Sequence, residues 1–215
     1  MAKIFISLEG PDGAGKSTVA AQLQKKLQEQ STQPVLLTRE PGGSKISEQI
    51  RQVILDVANQ EMDARTEALL YAASRRQHAV EVVAPALAKE QIVLSDRYLD
   101  SSIAYQGAGR EIGIAAVRQL NLFAVEEILP SLTLYLDLPP ALGLKRIQEQ
   151  RSQAPDRLEQ EQLAFHERVY QAYNQLVAEE PQRFVRIDAT QELPQVVAAC
   201  WQAIAQRFFT ATSND

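Results

Sequence analysis

A glycine-rich stretch near the start of the chain constrains the fold more than any other feature. It matches the pattern G-x-x-x-x-G-K-[ST] without a mismatch and consists of Gly10, Pro11, Asp12, Gly13, Ala14, Gly15, Lys16, Ser17 and Thr18. A short apolar run, residues 3–8, precedes it, and Val19, Leu23 and Leu27 recur behind it at helical spacing. The sequence therefore predicts a strand, a glycine-rich turn and a helix, with a nucleoside triphosphate bound at the turn.

The residue types in this stretch are suited to binding phosphates. Gly10, Gly13 and Gly15 can adopt positive φ angles, so backbone N–H groups can surround an anion. The helix that follows adds unpaired N–H groups and the positive end of its dipole. Lys16 would contact the β- and γ-phosphates, and the Ser17 hydroxyl would ligate Mg²⁺. A plain glycine turn between a strand and a helix is the alternative interpretation.

The composition indicates one ordinary globular domain, residues 1–215. The chain has 45% hydrophobic residues, 23% charged residues and a formal net charge of −5. Such an acidic chain is not expected to carry the basic surface that nucleic-acid binding requires. No apolar run approaches about 18 residues and no signal-peptide pattern opens the chain, so no membrane association is predicted. The lone cysteine, Cys200, excludes an intrachain disulfide, and these features together predict a cytoplasmic protein.

Strand-like and helix-like stretches alternate along the whole chain. The strand-like runs are short and continuously apolar, as in a parallel sheet covered on both faces, and comprise residues 3–8, 35–38, 92–95, 132–136 and 184–187. Helical patterns lie between them, at residues 46–57, 68–83, 114–128, from 139 onward, 158–177 and 196–208. Pro85 is expected to interrupt the second helical pattern. The sequence predicts a three-layer α/β domain of the P-loop NTPase type, with a five-stranded parallel sheet between helices.

Charged residues directly follow the predicted strands, and those after the second and third strands bear on phosphate binding. Arg39 follows the second strand, and Asp96 and Arg97 follow the third. The carboxyl ends of parallel strands lie at one edge of the sheet, where ligands bind. Two arginines facing a phosphate loop indicate a second phosphate clamp, although either could instead form a surface salt bridge. Asp96 lies where a carboxylate would hold Mg²⁺, directly or through water, and a helix N-cap is its alternative role.

A polar, proline-containing stretch, approximately residues 148–158, separates two predicted helices. It is typical of a mobile lid over bound phosphates and would bring in Arg151 and Arg157. A simple connection between two helices is the alternative. His78 and His166 lie on predicted helices without the partners that a metal site needs, so we expect surface or packing roles. The polar tail, residues 210–215, is expected to fray.

The order and spacing of these motifs resemble the bacterial thymidylate kinase family, whose members phosphorylate dTMP with ATP. The resemblance covers nearly the whole chain and is carried by EGPDGAGKST (9–18), TREPGG (38–43), DRY (96–98), SSIAYQG (101–107), LYLD (134–137), GLKR (143–146), RLEQE (157–161) and IDAT (187–190). The phosphate loop alone would indicate only a P-loop NTPase. The REPGG and AYQG segments narrow the resemblance to this family.

For dTMP, the resemblance implies a role for each matching residue. Asp12 matches a carboxylate that accepts a hydrogen bond from the sugar 3′-hydroxyl, and Arg39 and Arg97 match the arginines that hold the phosphate. Tyr71 falls where the family stacks an aromatic ring on thymine, and Arg75, one helical turn later, would donate to thymine O4. Cytosine has an amino donor at that position, so dCMP should be rejected. Further implied contacts are those of Ser101, Ser102, Gln106 and Tyr105, the last of which would crowd C2′ and disfavour a ribose.

For ATP, the resemblance implies contacts from the phosphate loop and, near adenine, from Arg146 and the loop after Asp188. Transfer would be direct and in line, with Mg²⁺ on Ser17 and Asp96 and with Lys16, Asp12, Arg97 and lid arginines in the catalytic centre. Some family members carry an arginine where this chain has Gly13, whereas this chain resembles the type that supplies it from the lid. Arg151 is then the preferred catalytic arginine, and Arg157 would also contact phosphate. The family is homodimeric, so a dimer through helices near residues 64–83 and 114–124 is expected.

Three other functions can be weighed against a kinase of this family, because the phosphate loop by itself does not exclude them. A deoxynucleoside kinase has an uncharged acceptor, so it would not need the clamp formed by Arg39 and Arg97. A GTPase switch would normally contain an N-K-x-D signal, which this sequence lacks. An ATPase stimulated by a protein partner would differ from a kinase in releasing ADP without an acceptor.

Overall fold

Five parallel strands form the centre of the molecule in the part of the chain that the structure describes. A computed structural model describes residues 3–150, 157–158 and 161–209. The strands are β1 (Phe5–Glu9), β2 (Val35–Arg39), β3 (Ile92–Asp96), β4 (Leu132–Asp137) and β5 (Phe184–Asp188). They pair in the order β2-β3-β1-β4-β5. The predicted α/β class with a five-stranded parallel sheet is confirmed.

Helices cover both faces of this sheet. They are α1 (Lys16–Gln30), α2 (Lys45–Leu55), α3 (Ala64–His78), α4 (Ala84–Ala88), α5 (Leu99–Ser102), α6 (Ile114–Val125), α7 (Pro140–Gln150), α8 (Leu163–Glu179) and α9 (Leu193–Phe208). Two π-helical stretches, π1 (Ala79–Val83) and π2 (Ile103–Gly109), continue α3 and α5. Apolar residues alternate between the faces: Phe5 and Val93 belong to one hydrophobic cluster, and Ile6 and Leu94 to the other. This alternation produces the three predicted layers.

Several element boundaries differ from the sequence-based predictions. Each strand includes one polar residue beyond its apolar run, such as Glu9 or Arg39, because polar residues can still pair in the sheet. Pro85 does not interrupt the second helical stretch, because π1 leads directly into α4 and places Pro85 in the first turn, which requires no N–H donor. Helix α8 begins at Leu163 and not at residue 158. The helical segment formed by α5 and π2 was not predicted.

The register of the sheet brings the strand ends to one edge. Arg39 is opposite Asp96, Asp96 is also opposite Leu8, and Glu9 is opposite Tyr135. The polar residues that follow the apolar runs therefore lie at one edge of the sheet, as the sequence predicts. Because β1 lies at the centre of the sheet and ends at Glu9, the phosphate loop begins in the middle of this edge.

Cys200 is buried in the cluster that contains α1 and α9, as expected for a packing residue. In the ranges that the structure describes, no helix has both the length and the apolar character needed to cross a membrane. The predicted tail at 210–215 and most of the predicted lid, including Arg151, lie outside the described residues.

Candidate active site

The glycines of the phosphate loop adopt the backbone angles that the motif requires. Gly10, Gly13 and Gly15 have φ angles of +143°, +78° and +82°, a region that other residues rarely occupy. A Cβ on Gly13 would overlap the carbonyl oxygen of Gly143 in α7, and a Cβ on Gly143 would overlap the carbonyl oxygen of Asp12. The loop is therefore packed backbone to backbone against α7.

Lys16 is the first residue of α1, and its side chain folds back over the loop. The ammonium group donates hydrogen bonds to the carbonyl oxygens of Gly10 (3.0 Å) and Pro11 (2.7 Å). Burial and, to a lesser degree, the charge of Arg97 lower the pKa of Lys16 to about 8. The amine is therefore still mostly protonated at pH 7. The ammonium is buried at the wall of a cavity of about 480 Å³ at the carboxyl edge of the sheet, which we call the main cavity. Water therefore screens its charge weakly.

Ser17 and Asp96 lie side by side at the predicted metal site. The Ser17 hydroxyl donates a 2.5 Å hydrogen bond to Oδ2 of Asp96, and both residues line the main cavity. A hydroxyl and a carboxylate supply oxygen ligands, which Mg²⁺ prefers. The donor set that the structure brings together thus fits a hard divalent cation.

Arg97, Asp12 and Tyr105 form one hydrogen-bonded network beside the loop. Arg97 has a φ angle of +70°, and its guanidinium donates to the Gly10 carbonyl oxygen (3.1 Å) and to Ser101 Oγ (3.0 Å). It also pairs with Oδ1 of Asp12, while the Tyr105 hydroxyl donates to Oδ2 of Asp12 (2.8 Å). Three predicted site residues therefore contact one another directly: Arg97 from the segment after β3, Tyr105 from π2 and Asp12 from the phosphate loop.

The charge state of Asp12 follows from this network. Burial by itself would raise the pKa of its carboxyl group, but the charges of Arg97 and Lys16 and the hydrogen bond from Tyr105 outweigh burial and lower it. The carboxylate consequently remains ionised at neutral pH and can only accept hydrogen bonds.

Arg39 lies on another wall of the same cavity. Its guanidinium contacts both carboxylate oxygens of Glu48 (2.9 and 3.0 Å) and the carbonyl oxygen of Pro41 (2.7 Å). Arg51, which the sequence analysis missed, lines the cavity as well and donates to the same Pro41 oxygen (3.0 Å). One feature of the sequence could have indicated Arg51. Helix α2 begins two residues after the Pro-Gly-Gly turn that follows β2, so the first turns of α2 lie near the edge of the sheet where ligands bind.

The predicted base-binding residues gather at the end of the cavity formed by α3 and π2. Tyr71, Ser102 and Gln106 line it. Arg75 is fully buried behind this wall and donates to Ser102 Oγ (2.9 Å). Gln106 donates to Oε1 of Glu67 (2.9 Å), a buried carboxylate that sequence reasoning missed.

Glu67 also determines where Arg157 lies. The Arg157 guanidinium donates to Oε2 of Glu67 (2.5 Å) and to the carbonyl oxygen of Ile54 (3.0 Å). Arg110 contacts the same Glu67 carboxylate and pairs with Glu161 at 2.5 Å. Arg157 borders a smaller cavity of about 350 Å³ and is not among the residues that line the main one. Its predicted contact with phosphate stays a prediction.

Arg146 connects α7 to the loop after β5. Its guanidinium donates to the carbonyl oxygens of Ala189 (2.9 Å) and Thr190 (3.5 Å), and the residue lines the main cavity. The two regions that the sequence analysis associates with adenine are therefore in contact.

His78 is fully buried, and both ring nitrogens have partners. Nδ1 lies 2.8 Å from Oε1 of Glu40, and Nε2 lies 2.7 Å from Thr38 Oγ1. Of the two roles expected for His78, the burial of the ring agrees with packing, and the two hydrogen bonds are a feature that the sequence did not indicate. His166 is buried too.

Glu9, the last residue of β1, is a buried acid under the loop. It accepts hydrogen bonds from the Tyr98 N–H (2.7 Å), the Ser101 hydroxyl (2.6 Å) and the Tyr173 hydroxyl (3.0 Å). Burial and, next, the charge of Asp100 raise the pKa of Glu9 to about 7 from a usual value of 4.5. Between pH 4.5 and about pH 7, Glu9 is therefore mostly protonated in the folded protein and mostly ionised in the unfolded chain.

This difference predicts how stability changes with pH. The free energy of unfolding should lose up to about 1.4 kcal/mol per pH unit as pH rises between the two pKa values. Glu9→Gln cannot ionise, so the variant should gain stability relative to the unmodified protein between pH 5 and pH 8. Urea unfolding at several pH values measures this difference. Glu149→Gln, at an exposed site, is the control, and its stability relative to the unmodified protein should not depend on pH. If the stability difference between Glu9→Gln and the unmodified protein is equally independent of pH, the prediction is contradicted.

Together these residues enclose a cavity of about 480 Å³ at the carboxyl edge of the sheet. A phosphate loop with a buried lysine, a serine–aspartate pair and two further arginines define a nucleotide-binding phosphotransferase of the P-loop class. A family model described as "Thymidylate kinase" matches residues 8–200. The chain belongs to the thymidylate kinase family. As a member of it, the protein is an ATP-dependent kinase that phosphorylates dTMP to dTDP, a step in dTTP synthesis.

Individual relatives agree with this assignment over nearly their full length. A thymidylate kinase of Lacticaseibacillus casei is 59% identical over 209 residues, which cover 97% of this chain and 98% of the relative. One of Enterococcus faecalis is 53% identical over 208 residues, with the same coverage. The crystal structure of a thymidylate kinase from Ehrlichia chaffeensis is similar with a TM-score of 0.75 and 29% identity, covering 94% of this chain and 97% of that one.

Proposed function

We propose that ATP and dTMP occupy the two ends of the main cavity, with their phosphates meeting between Lys16 and Arg97. One observation carries this proposal: Lys16, Arg39, Arg97 and Tyr71 all line a single cavity. The phosphate loop and Arg146 would bind ATP, with Arg146 near adenine. The walls formed by β2, α3 and π2 would bind dTMP.

In this arrangement the dTMP phosphate is held by Arg39 and Arg97. Their present partners, Glu48 and Asp12, keep both guanidinium groups oriented until a phosphate replaces or joins these contacts. Asp12 accepts a hydrogen bond from the sugar 3′-hydroxyl. This role suits a carboxyl group whose pKa is lowered, because the group stays ionised and can only accept. Tyr105 stands beside Asp12 and disfavours a ribose at C2′.

The thymine base is stacked on Tyr71 and recognised by polar groups at the end of the cavity. Arg75 donates to thymine O4, while Ser101, Ser102 and Gln106 contribute direct or water-mediated contacts. A pocket that only accommodates the thymine methyl group favours dTMP over dUMP by about 1–3 kcal/mol. A wrongly placed amino group, as in dCMP, is rejected more strongly, because two donors would face each other.

The chemistry requires positioning and charge more than proton transfer. The acceptor is already a phosphate dianion near neutral pH, so no general base is needed. Lys16 stays close to the transferring phosphoryl group and stabilises its charge, and Arg97 orients the attacking oxygen. The contribution of Arg151 stays a prediction, because this residue lies outside the described part of the chain.

We propose Mg²⁺ as the metal, held by Ser17 and Asp96 directly or through water. When bound, it neutralises charge on the phosphate oxygens. The support is the pairing of a hydroxyl and a carboxylate beside the phosphate loop.

Replacing Asp96 tests the metal site. Asp96→Asn should raise the Mg²⁺ concentration needed for half-maximal ADP release by about tenfold or more, because a charged ligand becomes neutral. The measurement is a coupled ADP-release assay with ATP and dTMP over a Mg²⁺ titration. Asp137→Asn is the control, since Asp137 also ends a strand but pairs with Arg186 (2.5 Å) and does not line the cavity. An unchanged Mg²⁺ requirement in Asp96→Asn would contradict the assignment.

A homodimer and a cytoplasmic location complete the proposal. The support for a dimer is that apolar side chains are exposed on the two helices that the resemblance associates with the interface. Phe123 on α6 is 84% exposed and Leu69 on α3 is 56% exposed, and paired helices of this kind commonly bury such groups against a second copy. The buried free cysteine is compatible with a reducing compartment.

A further inference from the structure

A chain of buried side chains runs from the end of β2 to the base-binding end of the cavity. It comprises Thr38, His78, Glu40 and Arg75, which we call the relay. The Glu40 carboxylate bridges its two halves, with Oε1 2.8 Å from Nδ1 of His78 and Oε2 2.7 Å from Nε of Arg75. The side chains of Glu40, His78 and Arg75 are each at most 2% exposed. Water therefore cannot replace a lost contact at low cost.

The chemistry of the relay fixes the orientation of the His78 ring. A carboxylate oxygen can only accept, so Nδ1 of His78 must carry a proton and donate it to Glu40. In the neutral ring, Nε2 then accepts from the Thr38 hydroxyl at 2.7 Å. Gly43 packs against the ring, since a Cβ there would come within 2.6 Å of His78 Cδ2. His78 is thus held on both nitrogens and on one side.

Arg75 is the member of the relay that contacts Ser102, which lines the base-binding end of the main cavity. Beyond Glu40, its guanidinium donates to Ser102 Oγ (2.9 Å), to Oδ1 of Asn121 and to the carbonyl oxygen of Tyr98 (3.1 Å). Within the described ranges, four of its five N–H groups thereby have a partner, and the fifth is on Nη2. A guanidinium held in this way has one orientation behind Ser102.

We propose that His78, acting through Glu40, is a positioning residue that orients Arg75 and so sets the preference for thymine over cytosine. This inference rests on the proposed contact between Arg75 and the base. Without His78, Oε1 of Glu40 is a buried acceptor that lacks its donor, and the carboxylate turns to recover one. Arg75 then loses the fixed anchor on Nε, and its guanidinium is no longer held in one orientation behind Ser102 at the base-binding end of the cavity.

The test compares base selectivity in three variants. His78→Leu should lower kcat/KM for dTMP by about tenfold or more, with a smaller change for dCMP, so the dTMP/dCMP ratio falls. The KM for ATP should stay within about twofold, because the relay does not touch the phosphate loop. His78→Asn, whose amide can donate to Glu40 in place of Nδ1, should restore most of the ratio. Thr38→Val, which removes only the outer hydrogen bond, should lower the ratio by about twofold to threefold.

A matched control separates positioning from general stability. Ser47 donates a buried 2.8 Å hydrogen bond to the Ser74 carbonyl oxygen of α3 but contacts no member of the relay. Ser47→Ala should lower Tm without changing the dTMP/dCMP ratio. If His78→Leu behaves in the same way, losing Tm but keeping the ratio, the proposal is overturned. If His78→Leu does not fold, Thr38→Val decides, and an unchanged dTMP/dCMP ratio in that variant overturns the proposal.

The Arg75→Lys variant distinguishes this inference from the proposed function. If Arg75→Lys leaves the dTMP/dCMP ratio unchanged, the proposed contact between Arg75 and the base fails. If Arg75→Lys lowers the ratio but the relay variants do not, only the relay fails. The proposal expects Arg75→Lys and His78→Leu both to lower the ratio, and expects His78→Leu and Thr38→Val to have no further effect when added to Arg75→Lys.

Discussion

Lys16→Met is expected to lower kcat by about 10³-fold while leaving the protein folded. The ammonium is buried against the phosphate loop, where its charge is weakly screened and already positioned before the reaction. Such a preorganised charge contributes more to the transition state than to ground-state binding. The free energy of unfolding should change little, because burial already disfavours the charged lysine and methionine fills a similar volume. Steady-state kinetics and urea unfolding measure the two effects.

Lys26→Met supplies the matched control on the same helix. Its ammonium lies 5.4 Å from the centre of the Trp201 ring, away from the residues that line the cavity. We expect kcat to be unchanged and the free energy of unfolding to fall by about 0.5–1 kcal/mol. A Lys16→Met variant that retained more than about a tenth of kcat would refute the role assigned to the lysine.

Glu67→Gln is expected to reduce the free energy of unfolding by about 3 kcal/mol, the largest stability effect that we predict. Its fully buried carboxylate contacts two arginines, Arg110 and Arg157, and accepts the Gln106 side chain. Neutralising it leaves two positive charges close together in a place that water reaches poorly. Glutamine keeps only one acceptor oxygen for Gln106, Arg110 and Arg157. The anchoring of Gln106 should therefore weaken, and KM for dTMP should rise more than KM for ATP.

Two further variants test this explanation. Glu161→Gln removes a partner of Arg110 that is 28% exposed, so the loss should be at most about 1 kcal/mol. Adding Arg157→Met to Glu67→Gln should recover part of the lost stability, since one unpaired charge disappears. Additive losses in the double variant would mean that the charges do not act on each other.

The fold could be predicted largely because its three central strands, β1, β3 and β4, are buried on both faces. Continuous apolar runs such as 92–95 have few alternatives in a short chain, and the phosphate loop fixes how the first strand, turn and helix connect. The segment formed by α5 and π2 was missed for the same reason. Residues 98–107 are all buried, so the segment has no polar face and lacks the periodicity that reveals a surface helix.

The site was predictable where it depends on strand ends and not where it depends on contacts between distant elements. Arg39, Asp96 and Arg97 could be found because they follow apolar runs that end at one edge of the sheet. Glu67 and His78 lie inside helices, and their partners come from elements far away in the sequence. No local pattern distinguishes a buried ion pair on a helix from a solvated one, so only the tertiary structure reveals these roles.

The packing of Gly13 against Gly143 has a consequence for how this enzyme could change over generations. A lineage that carries this contact cannot acquire arginine at position 13 by one mutation, because the new side chain would meet both an unfavourable φ angle and the backbone of α7. The intermediate would lose the loop's geometry before gaining a useful charge. We therefore expect arginine at position 13 only where the backbone of the α7 segment lies farther from the phosphate loop than it does here.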